Sequence, residues 1–142
     1  MKLSIIYSFK NEENNINELF NRTINAVNEC LKKNLINDFE VIFIDDASTD
    51  SSYEILKKKK LKEPKIRVFK TTRSFGNAEC LRYGINQSKG DYIVYLDSDL
   101  QDPPEVIHKM ILEWEKGYDV VYGKRIDRKG ESIFKNLTAK MF

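Results

Sequence analysis

In the stretch YLDSDLQDPPE, Tyr95 to Glu105, four acidic side chains (Asp97, Asp99, Asp102 and Glu105) fall within nine residues, directly after an apolar run. Along an extended backbone, side chains at i and i+2 point the same way. Asp97 and Asp99 then converge, and Gln101 adds a neutral oxygen on the same side if the extended conformation persists. Converging carboxylates repel unless a cation lies between them. A hard divalent cation such as Mg²⁺ or Mn²⁺ takes oxygen ligands and is commonly held by one or two carboxylates plus substrate phosphates. An isolated Asp-x-Asp is equally an ordinary loop and helix-cap pattern, so its place in the fold decides between the two readings.

The elements that must position these residues alternate along the chain. Apolar runs at Leu3–Tyr7, Val41–Ile44, Ile66–Phe69, Tyr92–Leu96 and Asp119–Tyr122 predict five strands. Between them, helical spacing appears in Ile16, Leu19, Phe20, Ile24, Val27 and Leu31, around Tyr53 and Leu56, in Ala78, Leu81 and Ile85, and in Ile107, Met110, Ile111 and Trp114. Pro103 and Pro104 suit the first turn of that last helix and Gly117 its end. Uninterrupted apolar strands alternating with helices predict an α/β fold, a mostly parallel sheet with helices on both faces. Ligands of such sheets bind outside the carboxyl ends of the strands. That rule selects three loops, Ser8–Glu12, Asp45–Asp50 and Asp97–Asp102, and favours a site over a cap for Asp97 and Asp99.

The Asp45–Asp50 loop, DDASTD, is also rich in capping groups, with Thr49 or Asp50 the expected cap. Asp45, immediately after its strand, is placed to accept a hydrogen bond from a ring N–H or a ribose hydroxyl of a nucleotide. No glycine-rich phosphate loop of the G-x-G-x-x-G or G-x-x-x-x-G-K-[ST] type occurs, so any phosphate is expected to rely on metal.

Composition narrows the classes. With 142 residues, 41% hydrophobic, and 24 basic against 22 acidic residues, a single domain near electrical balance is expected. From Lys124 to Phe142, however, six basic residues face two acidic ones. There Phe134, Leu137, Thr138 and Met141 share a helical face, which predicts either a basic amphipathic segment in a bilayer interface or an ordinary core-packed helix. The expected division is a core over 1–123 and this tail over 124–142. No run approaches the roughly 18 to 20 apolar residues of a spanning helix, and the N-terminus lacks a signal pattern, so a cytoplasmic chain with at most peripheral membrane contact is expected. Cys30 and Cys80 read as reduced packing residues. Lys57–Lys60 with Lys62, lacking interleaved arginine or aromatics, reads as a solvated helix face, and no nucleic-acid partner is expected. Trp114 reads as helix packing, and His108, without a partner at catalytic spacing, is given no role.

The segments SFKNEENNINEL, VIFIDDASTDSS, RSFGNAECLRYGI, GDYIVYLDSDLQDPPE and DVVYGKRIDRKGESIFKNLTAKMF together resemble a family 2 glycosyltransferase of the nucleotide-sugar-binding GT-A fold. Within it they are similar to the branch that charges polyprenyl phosphates, which includes dolichyl-phosphate mannose synthase and bacterial undecaprenyl-phosphate glucosyltransferases. The resemblance spans Ser4 to Phe142. It implies inverting transfer of a sugar from a UDP- or GDP-sugar to a polyprenyl phosphate; a soluble glycan acceptor, or nucleotide-sugar binding without turnover, are the alternatives. It further implies that Asp45 contacts base or ribose, and that Ser8, Lys10, Asn11 and Glu12 line the nucleotide. Asp97, Asp99 and Gln101 would surround Mg²⁺ or Mn²⁺ and the diphosphate, with Ser98 beside them, and Arg125 of YGKR would meet the acceptor or donor phosphate. Asp99 and Arg125 carry the catalytic expectation. Asp102 stands where a base could sit, but a phosphate nucleophile is already anionic and needs none. Ser8 and Lys10 depart from the family's Pro-x-Tyr-Asn-Glu, and Arg73-Ser74-Phe75-Gly76 from its Arg-Asn-x-Gly, leaving the role of position 74 open. Members usually continue into more catalytic domain and a membrane-spanning region, which implies a chain incomplete at its C-terminal side.

Overall fold

A computed structural model describes residues 1–124. Four strands, β1 (Lys2–Phe9), β2 (Asp38–Asp45), β3 (Ile66–Lys70) and β4 (Tyr92–Tyr95), form one parallel sheet in the order β3-β2-β1-β4. Helices α1 (Ile16–Lys32), α2 (Ser52–Lys60), α3 (Asn77–Gln87) and α4 (Ile107–Glu115) connect or follow them. Strand alternation divides the core. Leu3, Ile5, Tyr7, Phe9, Val41 and Phe43 face α1, α2 and α4, while Ile6, Ile42 and Ile44 face α3. Each such side chain, wholly removed from water, contributes about 1.5–3 kcal/mol, and the two central strands are buried along nearly their whole length.

The expected α/β class and parallel sheet with both faces covered are observed. The detail of α3 differs: Cys80 and Gly84 are its buried residues, whereas Ala78 and Ile85 are exposed. A Cβ on Gly84 would lie 2.6 Å from Ile6 Cγ2 and 2.7 Å from Ile44 Cδ1. The helix therefore approaches the sheet through small residues, and the larger ones turn outward. Pro104 opens a 3₁₀ turn (Pro104–Val106) before α4, with Pro103 extended ahead of it. Gly117, at φ +99°, closes α4 by donating its N–H to Trp114 O at 2.8 Å.

The expected strand at Asp119–Tyr122 does not form among the described residues. Val121, with Asp119, lines a groove beside β4, but a strand needs a hydrogen-bonded ladder and this segment joins none. Val120 and Tyr122 remain 79% and 83% exposed. Cys30 and Cys80 are both buried and unbridged, as expected. Lys59 lies over the Phe20 ring at 4.4 Å while Lys57, Lys58 and Lys60 are exposed, a solvated face. Trp114 packs on Tyr92. Among the described residues no helix is long and apolar enough to cross a membrane. The tail expectation and Arg125 lie outside the described residues.

Candidate active site

The register aligns the ends of β1 and β2, Phe9 lying opposite Asp45, whereas β4 stops at Tyr95 opposite Ile6. Because β4 ends short of β1, its following turn folds in beside Ser8 rather than beyond it. The outcome is a cavity of about 220 Å³ lined by Ser8, Phe9, Lys10, Glu12, Asp46, Asn77, Asp97, Ser98 and Asp99. Six of the predicted residues are thus brought together: Ser8, Lys10, Glu12, Asp97, Ser98 and Asp99.

The loops are bound to one another by short hydrogen bonds. Asn11 N–H donates to Ser48 Oγ at 2.9 Å, Glu12 N–H to Ser52 Oγ at 2.8 Å, and Thr49 N–H to Asn11 Oδ1 at 2.8 Å. Asn11 therefore latches the first loop to the second and does not line the cavity. Asp50 accepts from Ser52 N–H at 3.0 Å and Ser52 Oγ at 2.6 Å just ahead of α2, but the N-cap position is Ser51, one residue beyond the expected Thr49 or Asp50, and its side chain makes no capping bond. Each of the three loops contains one non-glycine residue with positive φ: Asn11 at 56°, Ala47 at 56° and Leu100 at 64°. Such conformations cost about 1–3 kcal/mol each, persist only where the surroundings enforce them, and cluster at functional sites.

The left-handed Leu100 ends the extended alternation that Gln101 required. Asp99 Oδ1 instead accepts Gln101 N–H at 3.0 Å, closing a tight turn. Gln101 is carried into the neighbouring groove with Asp102, Val106, Met110 and Tyr122. Asp97 and Asp99 therefore line the cavity without Gln101, beside the carboxylates of Glu12 and Asp46, and among the described residues no cluster of three or more His, Cys, Asp or Glu is arranged to hold a metal by itself.

Asp45 is fully buried and lies beneath the loop, outside the cavity. Its Oδ1 accepts Ser48 N–H at 2.8 Å. Its Oδ2 is 3.4 Å from Lys70 Nζ, yet has no hydrogen bond. The two observations agree once direction is considered, since an ion pair tolerates an angle that a hydrogen bond does not. A buried acceptor without a donor is costly and leaves Asp45 with capacity for one.

The residue facing the cavity is Asp46, which sequence reasoning passed over. It accepts Ser74 Oγ–H at 2.7 Å, Phe75 N–H at 2.7 Å and Gly76 N–H at 3.1 Å. Burial pushes its carboxyl up, but the donors from Ser74, Phe75 and Gly76 outweigh this and hold it below the usual carboxylate range. Position 74 thereby acquires its role as a donor to Asp46. Gly76, at φ +87°, then turns the chain into α3 and sets Asn77 on the cavity wall. Strand parity was the available signal: Ile6 and Ser8 share the α3 face with Ile44, and two residues beyond Ile44 is Asp46.

Residues 4–141 match the family described as glycosyl transferase family 2. The chain belongs to this family. It is 35% identical over 142 residues to a bactoprenol glucosyl transferase of Shigella phage SfX, covering 100% of this chain and 45% of that protein. It is 37% identical over 141 residues to an undecaprenyl-phosphate 4-deoxy-4-formamido-L-arabinose transferase of Photorhabdus laumondii, covering 99% of this chain and 42% of that one. The chain thus spans less than half the length of these family 2 relatives. Among solved structures, S. aureus TarS 1-349 in complex with UDP-GlcNAc superposes with a TM-score of 0.65 at 24% identity, over 90% of this chain and 37% of that one. The mannosyltransferase PcManGT from Pyrobaculum calidifontis, in complex with GDP-Man and Mn²⁺, gives a TM-score of 0.58 at 23% identity, over 68% of this chain and 27% of its own. The family 2 domain described above has their GT-A fold.

Proposed function

We propose that this family 2 domain binds a nucleotide-diphosphate sugar at the carboxyl ends of β1, β2 and β4 and transfers the sugar, with inversion, to a polyprenyl phosphate. The observation that carries the reading is the single cavity onto which Ser8, Lys10, Glu12, Asp97, Ser98 and Asp99 converge from two separate loops. The all-oxygen chemistry of Asp97 and Asp99 fits Mg²⁺ or Mn²⁺, whose remaining positions substrate phosphates and water commonly fill. Those two residues would hold the ion, which when bound neutralises charge developing on the leaving diphosphate.

The chain's own residues have distinct tasks. Asp45, with its donorless Oδ2, would take a base N–H or ribose hydroxyl once the loop admits the nucleotide. Lys10 is exposed at the rim, where its ammonium offsets the acidic wall and offers a point charge to phosphate. Ser8 and Glu12 supply polar groups along the nucleotide. An acceptor phosphate is anionic near neutral pH and attacks the anomeric carbon without a strong base. Arg125 would guide a phosphate, and the basic segment 124–142 would meet the cytoplasmic bilayer interface where a polyprenyl acceptor resides.

The test is incubation of the chain with Mn²⁺, a short-chain polyprenyl phosphate and radiolabelled UDP- or GDP-sugars. Label extractable into organic solvent is expected. Label confined to a water-soluble glycan would move the reading to a soluble acceptor, and metal-dependent UDP binding without transfer would reduce it to donor binding. Absence of both binding and transfer would sink it.

A further inference from the structure

We infer that Tyr95 and Asn77 are positioning residues that tie the loop held by Asp46 to the acidic turn, fixing the Asp97 carboxylate for its cation. This rests on the donor-and-metal reading above. Tyr95 is the last residue of β4, and its hydroxyl lies 2.8 Å from Asn77 Oδ1 and 3.0 Å from Asp97 Oδ1. A phenol has one proton, and a carboxylate accepts it more strongly than an amide. The proton goes to Asp97. The Asn77 amide, whose two ends exchange by a half-turn, then presents its NH₂ to the phenolic oxygen.

Asn77 is in turn fixed from the other side. It opens α3 directly after Gly76, whose N–H donates to Asp46 together with the Phe75 N–H and the Ser74 Oγ–H. An unbroken path therefore runs from the end of β2, through Asp46, the 74–76 loop, Asn77 and Tyr95, to Asp97 beyond β4. In the sheet order β1 stands between those two strands. The path accordingly crosses β1's end, where Ser8 lines the cavity, and joins its two acidic walls. With one oxygen held, the Asp97 side chain is ordered before the ion arrives, which reduces the ordering cost of binding.

The Mn²⁺ affinity of the UDP-saturated chain, read from the paramagnetic resonance of free Mn²⁺, is expected to fall about tenfold in Tyr95→Phe and in Asn77→Ala, the scale of losing one hydrogen bond to a charged group. The double variant is expected to be no weaker than Tyr95→Phe alone, because the two groups act in series. In Tyr95→Phe, whose side chain does not line the cavity, metal-free UDP affinity should not move, which separates positioning from general destabilisation. Wild-type Mn²⁺ affinity in Tyr95→Phe, or fully additive losses in the double variant, overturns the inference. Should the wild-type chain bind no Mn²⁺ with UDP present, the metal reading fails, and hydrogen exchange of amides 97–101 in the metal-free chain decides the inference separately. Faster exchange there in Tyr95→Phe supports it, and unchanged exchange overturns it.

Discussion

The two ends of the sheet treat buried carboxylates differently. At the end where the strands begin, Glu40 is 4% exposed and accepts Ser4 Oγ–H at 2.8 Å, Lys89 N–H at 2.6 Å and Arg67 Nη1–H at 3.2 Å. Arg67 also donates to Gln87 O, and Gly90 N–H donates to Ser4 Oγ at 2.9 Å. Gly90 has no substitute there, since a Cβ would fall 2.7 Å from Ser4 N. Both of the Glu40 oxygens are engaged. At the end where the strands finish, Asp45 keeps a buried oxygen without a donor, and Asp97 and Asp99 face an open cavity. The same functional group is a staple below and, on the proposed reading, a source of binding capacity above. The lower carboxylate is held on both oxygens by the fold, whereas Asp45 has one oxygen that meets only the Lys70 ammonium, at 3.4 Å and without a hydrogen bond.

Breaking the lower end should cost stability alone. Glu40→Ala leaves Arg67 without its carboxylate and is expected to destabilise by about 3 kcal/mol, the lower end of the range for a broken buried pair because Arg67 is partly exposed. Urea unfolding measures this, and metal-dependent UDP affinity at temperatures where the variant is folded should not change. The reciprocal change at the upper end, Asp99→Ala, should weaken metal-dependent UDP binding by at least the ~10–100-fold that follows loss of even an outer metal partner. Its Tm should stay within a degree or two, because Asp99 is exposed. Tight, Mn²⁺-dependent UDP binding in this variant by calorimetry would contradict the site.

Asp46 sharpens the comparison because it has both properties, with three donors and a place on the cavity wall. Asp46→Asn turns one acceptor towards an N–H as a donor, and should cost about 1–2 kcal/mol of stability together with weaker UDP binding. A loss of stability without any loss of binding would class it with Glu40. Acid separates the ends further. Burial pushes the Glu40 carboxyl up, but Ser4, Lys89 N–H and Arg67 together hold it below its usual range, as the loop donors do for Asp46. A depressed folded pKa gives stability that is present above the unfolded values of about 4.3 and 3.9 and is lost as pH falls through the folded ones. Urea midpoints should therefore be flat from pH 7 to about 5 and fall below about 4, less steeply in Glu40→Gln. The smallest effect is expected at the surface. Arg22 grips Glu105 with a two-pronged pair at 2.9 and 2.8 Å, and Arg22→Ala should cost no more than about 1 kcal/mol.

Most of the architecture was legible because it follows from short-range periodicity. Alternating apolar runs and helical stripes gave the described strands, helices and parallel sheet, and the rule on carboxyl ends selected three loops that meet at the cavity but not the segment that brings Asn77 to its wall. The fifth strand was misread because an apolar run does not say whether a ladder partner exists. Gln101 was misplaced because one left-handed residue, Leu100, reverses the alternation on which its position depended. Of the two aspartates in Asp45-Asp46, the sequence favoured the first, whereas strand parity sends it under the loop and turns the second towards Ser8.

By itself, the sequence determined the alternation of strands and helices from β1 to α4, the family, and the collection of carboxylates at one edge of the sheet, since each is carried by local pattern or by motif order. Only the tertiary structure decided which carboxylates are satisfied. Asp46 meets its donors 28 to 30 residues further on, and Tyr95 meets Asn77 across 18. Those contacts depend on how far β4 extends beside β1 and on how closely Gly84 lets α3 approach the sheet. Hydrogen-bond satisfaction is a property of three-dimensional neighbours, and no one-dimensional spacing encodes it.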